Sequence, residues 1–378
     1  MNRRHFLYLV IALVVLGAAG LALFWQDIAA YRASGAKIGA KLLPGLRIAD
    51  VAEIRLQGPR HQVTLARKEK MWVVQERGGY PASFEEISDL MIKLVELKVT
   101  QSEHIGASLL PRVELAGPGK GEGGGTLIEF RDSAGKVLAS LVLGKKVLKK
   151  DPLNPLPVAK DGVPAGRYVR VVGAGDTVAV VSDPLGKAEA DPGKWLNRDF
   201  FKIERIRTLA AGPEGAGPRW KIARAEEWGQ WKFVDGGNLD PSAAVGAVNR
   251  LGSLSFDDVA LDPGKEAQGK PVVIVAETFD NLVYTVKLSR KGKGDEHFVS
   301  VTVNGEPPAS RVPEKGEKPG DKERRDKEFA ESRKKLVERV AAERTLSKWT
   351  YVIARRELEP LLRTRSEMVA ARRGEARR

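Results

Sequence analysis

Apolar and polar positions alternate along most of this chain, and the alternation marks out strands, helices and one long apolar run. Ile54 and Leu56, Val63 and Leu65, and Met71 and Val73 alternate with polar neighbours, so three short strands are expected. Gly58-Pro59 and Arg67 to Lys70 are their turns. Phe84, Ile87, Leu90, Met91 and Leu94 then fall at helical spacing, and Ser83 with Glu86 three residues on reads as a capping box. Gly117 to Gly125 is a loop. Alternation resumes at Thr126–Phe130 and Val137–Leu143 around the turn Asp132 to Gly135, and again at Arg167–Val172 and Thr177–Val181.

The same pattern then returns. Strands are expected near Ile206–Ala210, Arg219–Ala223 and Gln230–Val234. Asp240 caps a helix with Pro241 in its first turn and Val245, Val248 and Leu251 as its buried face. Further strands are expected at Val272–Glu277, Val283–Leu288 and His297–Val303. The landmarks match across the two passages. Trp72-Val-Val74 becomes Trp231-Lys-Phe233, Tyr80-Pro-Ala82 becomes Leu239-Asp-Pro241, and Lys194-Trp195 is echoed by Lys348-Trp349. The offset of about 160 residues far exceeds a solenoid repeat of about 20–50, so it points to a duplicated domain.

The expected fold class is therefore α+β, with two tandem homologous mixed β-sheet domains and packed helices. They cover residues 48–200 and 201–369. The second carries an insertion over 306–343. Glu306 to Lys322 is rich in Pro, Gly, Lys and Glu and reads as a loop. Glu323 to Glu343 reads as a solvated helix, with a thin stripe of Phe329, Leu336 and Val340 and ion pairs such as Glu331/Lys335. A last helix is expected over Arg356 to Ala371, followed by a basic tail over 370–378.

Phe6 to Trp25 is apolar without a single charge. About 20 residues at ~1.5 Å each reach about 30 Å, the thickness of a membrane's hydrocarbon core. Tyr8 and Trp25 suit its two interfaces. Arg3 and Arg4 precede it closely, so residues 1–5 are expected in the cytoplasm, 6–25 in the inner (cytoplasmic) membrane as a single-pass transmembrane helix, and 26–47 as a linker to an extracytoplasmic, periplasmic body. A cleaved signal peptide is the competing reading. Its apolar core runs about 7–15 residues, and here the run continues through Leu21 to Trp25 past the small residues.

The absence of cysteine rules out disulfides, thiolate metal sites and a cysteine nucleophile. Net charge is +14, and more than half of the excess falls after Ser310. An exported chain does not meet nucleic acid, so none is expected as a partner. The charge serves solubility, or contact with anionic lipid headgroups or an acidic partner, with Arg372 and Arg373 of the tail as contact candidates.

Catalytic patterns are missing. His5, His61, His104 and His297 lie in separate segments without ligand spacing. The glycine-rich stretch from Gly117 to Gly125 lacks the Lys-Ser/Thr ending of a phosphate loop and leads into a strand, not a helix. The acidic pairs Glu85/Glu86, Glu226/Glu227 and Asp257/Asp258 sit at a helix start or beside turns. No catalytic, cofactor-binding or metal residue is assigned, and no cofactor is expected. Trp72, Trp195, Trp231 and Trp349 read as core anchors, because large aromatics at matched places of a duplicated fold fill its cores. Trp220 and Trp228 flank Trp231 in a short hairpin and read as a partner-contact patch.

In order along the chain stand an apolar anchor, strands ending on a tryptophan, Tyr80-Pro-Ala82 before a helix, Leu143-Gly-Lys145 after a hairpin, Gly166-Arg-Tyr-Val-Arg170, Val178-Ala-Val-Val181 and Trp195-Leu-Asn-Arg-Asp199. This order resembles the domain of unknown function 4340 family. The resemblance implies an anchored extracytoplasmic protein, of a kind often encoded beside gliding-motility-type ABC transporter components. It implies no catalytic residues. The expected function is a non-enzymatic accessory or scaffold subunit of an ABC-type transport system, in contact with the transporter's membrane subunits. An enzyme acting on envelope polymers and a binder of anionic lipid or polymer are the alternatives. The insertion over 306–343 departs from the family pattern.

Overall fold

The structure is a computed structural model and describes residues 37–118, 121, 123–149, 162–173, 177–313 and 316–370. The expected membrane anchor and the Arg372/Arg373 contact lie outside these residues. Among the described residues no helix is long and apolar enough to cross a membrane. The protein is α+β and divides into two compact units between Asn197 and Arg198.

The first unit is built on strands β1 (Glu53–Gln57), β2 (Gln62–Lys68), β3 (Met71–Val74), β4 (Tyr80–Pro81), β5 (Val99–His104), β6 (Thr126–Arg131), β7 (Val137–Lys149), β8 (Val163–Val171) and β9 (Thr177–Val181). They form one sheet in the order β4-β3-β2-β1-β6-β7-β8-β9-β5. Every pairing is antiparallel, where a mixed sheet was expected. The reason is local: most successive strands are joined by tight turns, which reverse direction. Ile54 pairs with both Leu65 and Phe130, so these three share one buried face of the sheet. Helix α1 (Phe84–Glu96) adds Ile87, Leu90, Met91 and Leu94 to the core. Phe84, expected in that stripe, is exposed because it is the first helical residue. Only half of the expected capping box forms. Ser83 Oγ accepts from the Glu86 N–H at 3.3 Å, while the Glu86 carboxylate turns outward to Lys187. The opposite sheet face carries a smaller cluster of Leu115, Val142 and Val178, against which Ile105, Leu110, Val113, Leu127 and Tyr168 pack.

The second unit uses β10 (Ile206–Pro213), β11 (Trp220–Ala223), β12 (Lys232–Phe233), β13 (Asp258–Ala260), β14 (Ala267–Thr278), β15 (Leu282–Lys291), β16 (Glu296–Gly305) and β17 (Thr350–Ala354). Their order is β12-β11-β10-β14-β15-β16-β17-β13, again antiparallel throughout. Strand for strand this is the order of the first sheet without β4. The register agrees too. Ile54 faces Leu65 as Leu209 faces Ile222, and Leu65 faces Val74 as Ile222 faces Phe233, which places Trp72 and Trp231 at one position.

Helix α2 (Pro241–Gly252) is capped by the Asp240 carboxylate on the Ser242 N–H. Its buried face is Ala243, Ala244, Ala247 and Leu251, not the expected valines; Val245 is exposed. Short side chains let the helix lie close to its neighbours. Helix α3 (Pro319–Leu346) is the insertion, and its i,i+4 pairs include Arg324–Glu328 rather than Glu331–Lys335. Helix α4 (Arg355–Leu362) packs on α2 and is shorter than the expected Arg356–Ala371. The chain leaves the helix there because Met368 and Val369 are needed elsewhere. Val369 bridges to Leu239 as Leu196 bridges to Ala82, and the Asp240 N–H reaches the Met368 carbonyl as the Ser83 N–H reaches that of Trp195. The counterpart of Trp195 is thus Met368. The sequence echo of Lys194-Trp195 in Lys348-Trp349 does not correspond to a shared position.

Candidate functional site

The tryptophans separate into core and surface. Trp72 and Trp195 are buried, and Trp195 donates its indole N–H to the Glu189 carbonyl at 2.8 Å. Trp231, expected as a core anchor, is only half-buried. Strand β12 starts one residue later, so its ring is left under the Arg224 guanidinium at 4.8 Å. Trp349 is half-buried as well. It precedes β17 at the end of the insertion helix, and the Lys348 ammonium lies 4.1 Å from its ring centre. Trp220, expected at the surface, is 1% exposed. It pairs with the buried Ala211, so it points into the core, where its indole N–H reaches the Arg363 carbonyl at 2.8 Å. Trp228 is 94% exposed in the turn between β11 and β12. The expected aromatic patch is reduced to this one ring beside half-buried Trp231.

The most chemically distinctive concavity of the first unit lies where three separated stretches meet: the β1–β2 turn, the paired strands β7 and β8, and the loop after β9. It measures about 330 Å³ and is lined by Arg60, His61, Lys146 and Arg167 among others. Arg167 is the built element. Its Nε donates to the Gly144 carbonyl at 2.7 Å and its Nη1 to the carbonyls of Pro184 and Leu185 at 3.4 and 3.3 Å. Burial lowers its pKa from the ordinary guanidinium value, and the charge of Glu114 opposes that effect. Close packing supports the arrangement. A Cβ on Gly144 would overlap the Val113 carbonyl and come within 2.8 Å of the Leu115 side chain. Gly144 and Arg167 stand in the Leu-Gly-Lys and Gly-Arg-Tyr stretches singled out in the sequence, and the fold joins them by a hydrogen bond.

In the second unit the register counterpart of Arg167 is His297: Arg167 faces Val181 as His297 faces Ile353. His297 is 9% exposed, and its Nδ1 is buried without a hydrogen-bond partner. Burial lowers its pKa, with the Arg355 and Arg290 charges acting in the same sense and Asp295 against them. It lies at the start of β16, where a strand was expected, and its side chain is on the buried side of that strand. Among the described residues no group of three or more His, Asp or Glu side chains could hold a metal ion.

The insertion helix α3 forms the other outstanding feature. Of its 28 residues only Val340 and Glu343 are buried. Glu343 accepts the Lys202 backbone N–H at 2.9 Å and the Tyr284 hydroxyl at 2.7 Å. Burial and the Glu343 charge raise the pKa of Tyr284, which keeps the phenol a donor. Arg339 pairs with Glu204 at 2.8 Å beside this bond. The preceding loop folds back, with Arg311 on Asp326 and Glu317 at 2.6 and 2.7 Å.

A family model described as Domain of unknown function (DUF4340) matches residues 72–271, more than half of the 378 residues. The chain belongs to this family. No curated protein and no solved structure matches it. The matched DUF4340 region begins at Trp72 and takes in Gly144, Arg167 and the Trp195 stretch, and it ends before the insertion.

Proposed function

We propose that this DUF4340 protein is an extracytoplasmic accessory subunit of an ABC-type transport system, anchored by Phe6 to Trp25, and that it works through protein contact and not catalysis. The two units are read as copies of one ancestral domain, which the common strand order and the matched Ser83/Asp240 environments support.

The observation that carries the contact reading is α3. A helix of 28 residues is about 42 Å long. Its charged sequence buries almost nothing of its own, and its two buried residues lie near its C-terminal end. A segment that does so little for the core, yet is held by Glu343 and Arg339, is suited to present a surface. A photo-crosslinking residue placed at Lys327 or Glu331 in the full-length chain should, in native membranes, yield adducts with ABC transporter membrane subunits. If these sites give no such adduct while the chain remains in the membrane fraction, the reading fails.

A further inference from the structure

The basic pocket of the first unit is independent of α3 and of the contact reading. Arg60, His61 and Lys146 lie at its exposed rim, and none of their side chains is engaged in an ion pair. Arg167 forms its inner wall. Three backbone carbonyls hold its Nε and Nη1, so the plane of the guanidinium is fixed. Its Nη2 has no protein partner and is not buried. With Nε and Nη1 held, the N–H groups of Nη2 remain to donate to an oxyanion, and such charge-assisted bonds are the strong ones. Two carboxylates also line the pocket. Glu189 and Asp191, the latter accepting the Gly193 N–H at 2.9 Å, set two negative charges against the three positive charges of Arg60, Lys146 and Arg167. The balance favours an anion. The fold does not require an arginine here, since the second unit builds the same register position with His297.

We infer that this pocket binds a phosphate-type oxyanion, with Arg167 as the fixed donor, through Nη2, and Arg60 and Lys146 as the charged rim. Its volume of about 330 Å³ admits a phosphate group with a small substituent, such as a phosphodiester headgroup.

The test uses the full-length chain in a neutral detergent at constant ionic strength. Inorganic phosphate is titrated calorimetrically in one arm, and short-chain phosphatidylglycerol, with phosphatidylcholine as its control, in the other. The double variant Arg60→Gln/Lys146→Gln changes exposed, unbonded side chains and should keep the wild-type melting temperature. It should weaken binding by about tenfold or more, and Arg167→Lys, which keeps the charge and loses the guanidinium that the carbonyls fix, should do the same. Lys70→Gln/Lys136→Gln removes the same charge from turns elsewhere in the unit and should bind as the wild type does. Loss in the phosphate arm identifies a free oxyanion as the ligand, and loss in the phosphatidylglycerol arm alone identifies a lipid headgroup. The assignment is overturned if the wild type binds neither probe. It is also overturned if Arg60→Gln/Lys146→Gln binds both undiminished, or if the turn variant weakens binding equally.

Discussion

The Tyr284 hydroxyl and the Glu343 carboxylate, 59 positions apart in sequence, meet at 2.7 Å inside the second unit. This contact joins the insertion to the sheet. Glu343 is 2% exposed and also accepts the Lys202 N–H, so one carboxylate serves two donors. Glu343→Ala leaves both donors short of an acceptor. The expected loss is about 2–4 kcal/mol, since a buried unsatisfied group costs about 1–3 kcal/mol. Glu343→Gln, which keeps an acceptor oxygen, should lose less. Chemical denaturation of the two variants checks the order, and equal stability of Glu343→Ala and wild type would show that the contact is dispensable.

Trp220 and Trp228 should respond oppositely to truncation. Trp220→Ala empties a buried site and is expected to cost about 3–5 kcal/mol. Trp228→Ala removes an exposed ring and should stay within about 0.5 kcal/mol of wild type. Melting curves of the pair decide it, and a Trp220→Ala protein as stable as wild type would contradict the core placement.

His297 predicts an acid-side loss of stability. Its folded pKa lies below the ordinary 6.5, so the unfolded chain takes up the proton first as pH falls. The histidine's contribution is full above about pH 7 and declines as pH drops through the unfolded value toward the folded one. His297→Gln should flatten the fall in stability between about pH 7 and pH 5. Parallel curves for variant and wild type would assign that fall to carboxylates alone.

Gly144→Ala forces a Cβ against the Val113 carbonyl and the Leu115 side chain. Overpacking of this kind costs about 1–3 kcal/mol. The first unit should lose that stability in urea unfolding. A neutral outcome would mean that the segment Ala107–Val113 shifts freely, and that the cluster over this sheet face is loosely held.

Much of the framework was legible because it is written in alternation and punctuation. Ser83 and Asp240 mark helix starts, and Trp72 and Trp231 fall in register as their sequence neighbours imply. Strand β5 was invisible because a sheet-edge segment with only Val99 buried shows no alternation. The Lys348-Trp349 echo misled because position is set by hydrogen bonding, and Met368 fills the place with a different side chain. Trp220 and Trp228 look alike in a short hairpin, and only the register against Ala211 tells that one points inward. The basic pocket had no local signature, since Arg60, Lys146 and Arg167 come from separate stretches that only the sheet order brings together.

The buried residues of α3, Val340 and Glu343, lie close to its C-terminus, with Pro319 at the other extreme. From Val340 to Pro319 the helix runs about 30 Å, so its tip is a lever arm whose chemistry is decoupled from folding. Selection can rewrite the tip to follow a changing partner without endangering the sheet that carries it. Burial at a single end has a mechanical side as well. A load applied at the tip is delivered as torque to the buried end, where Glu343 and the Arg339–Glu204 pair would share it.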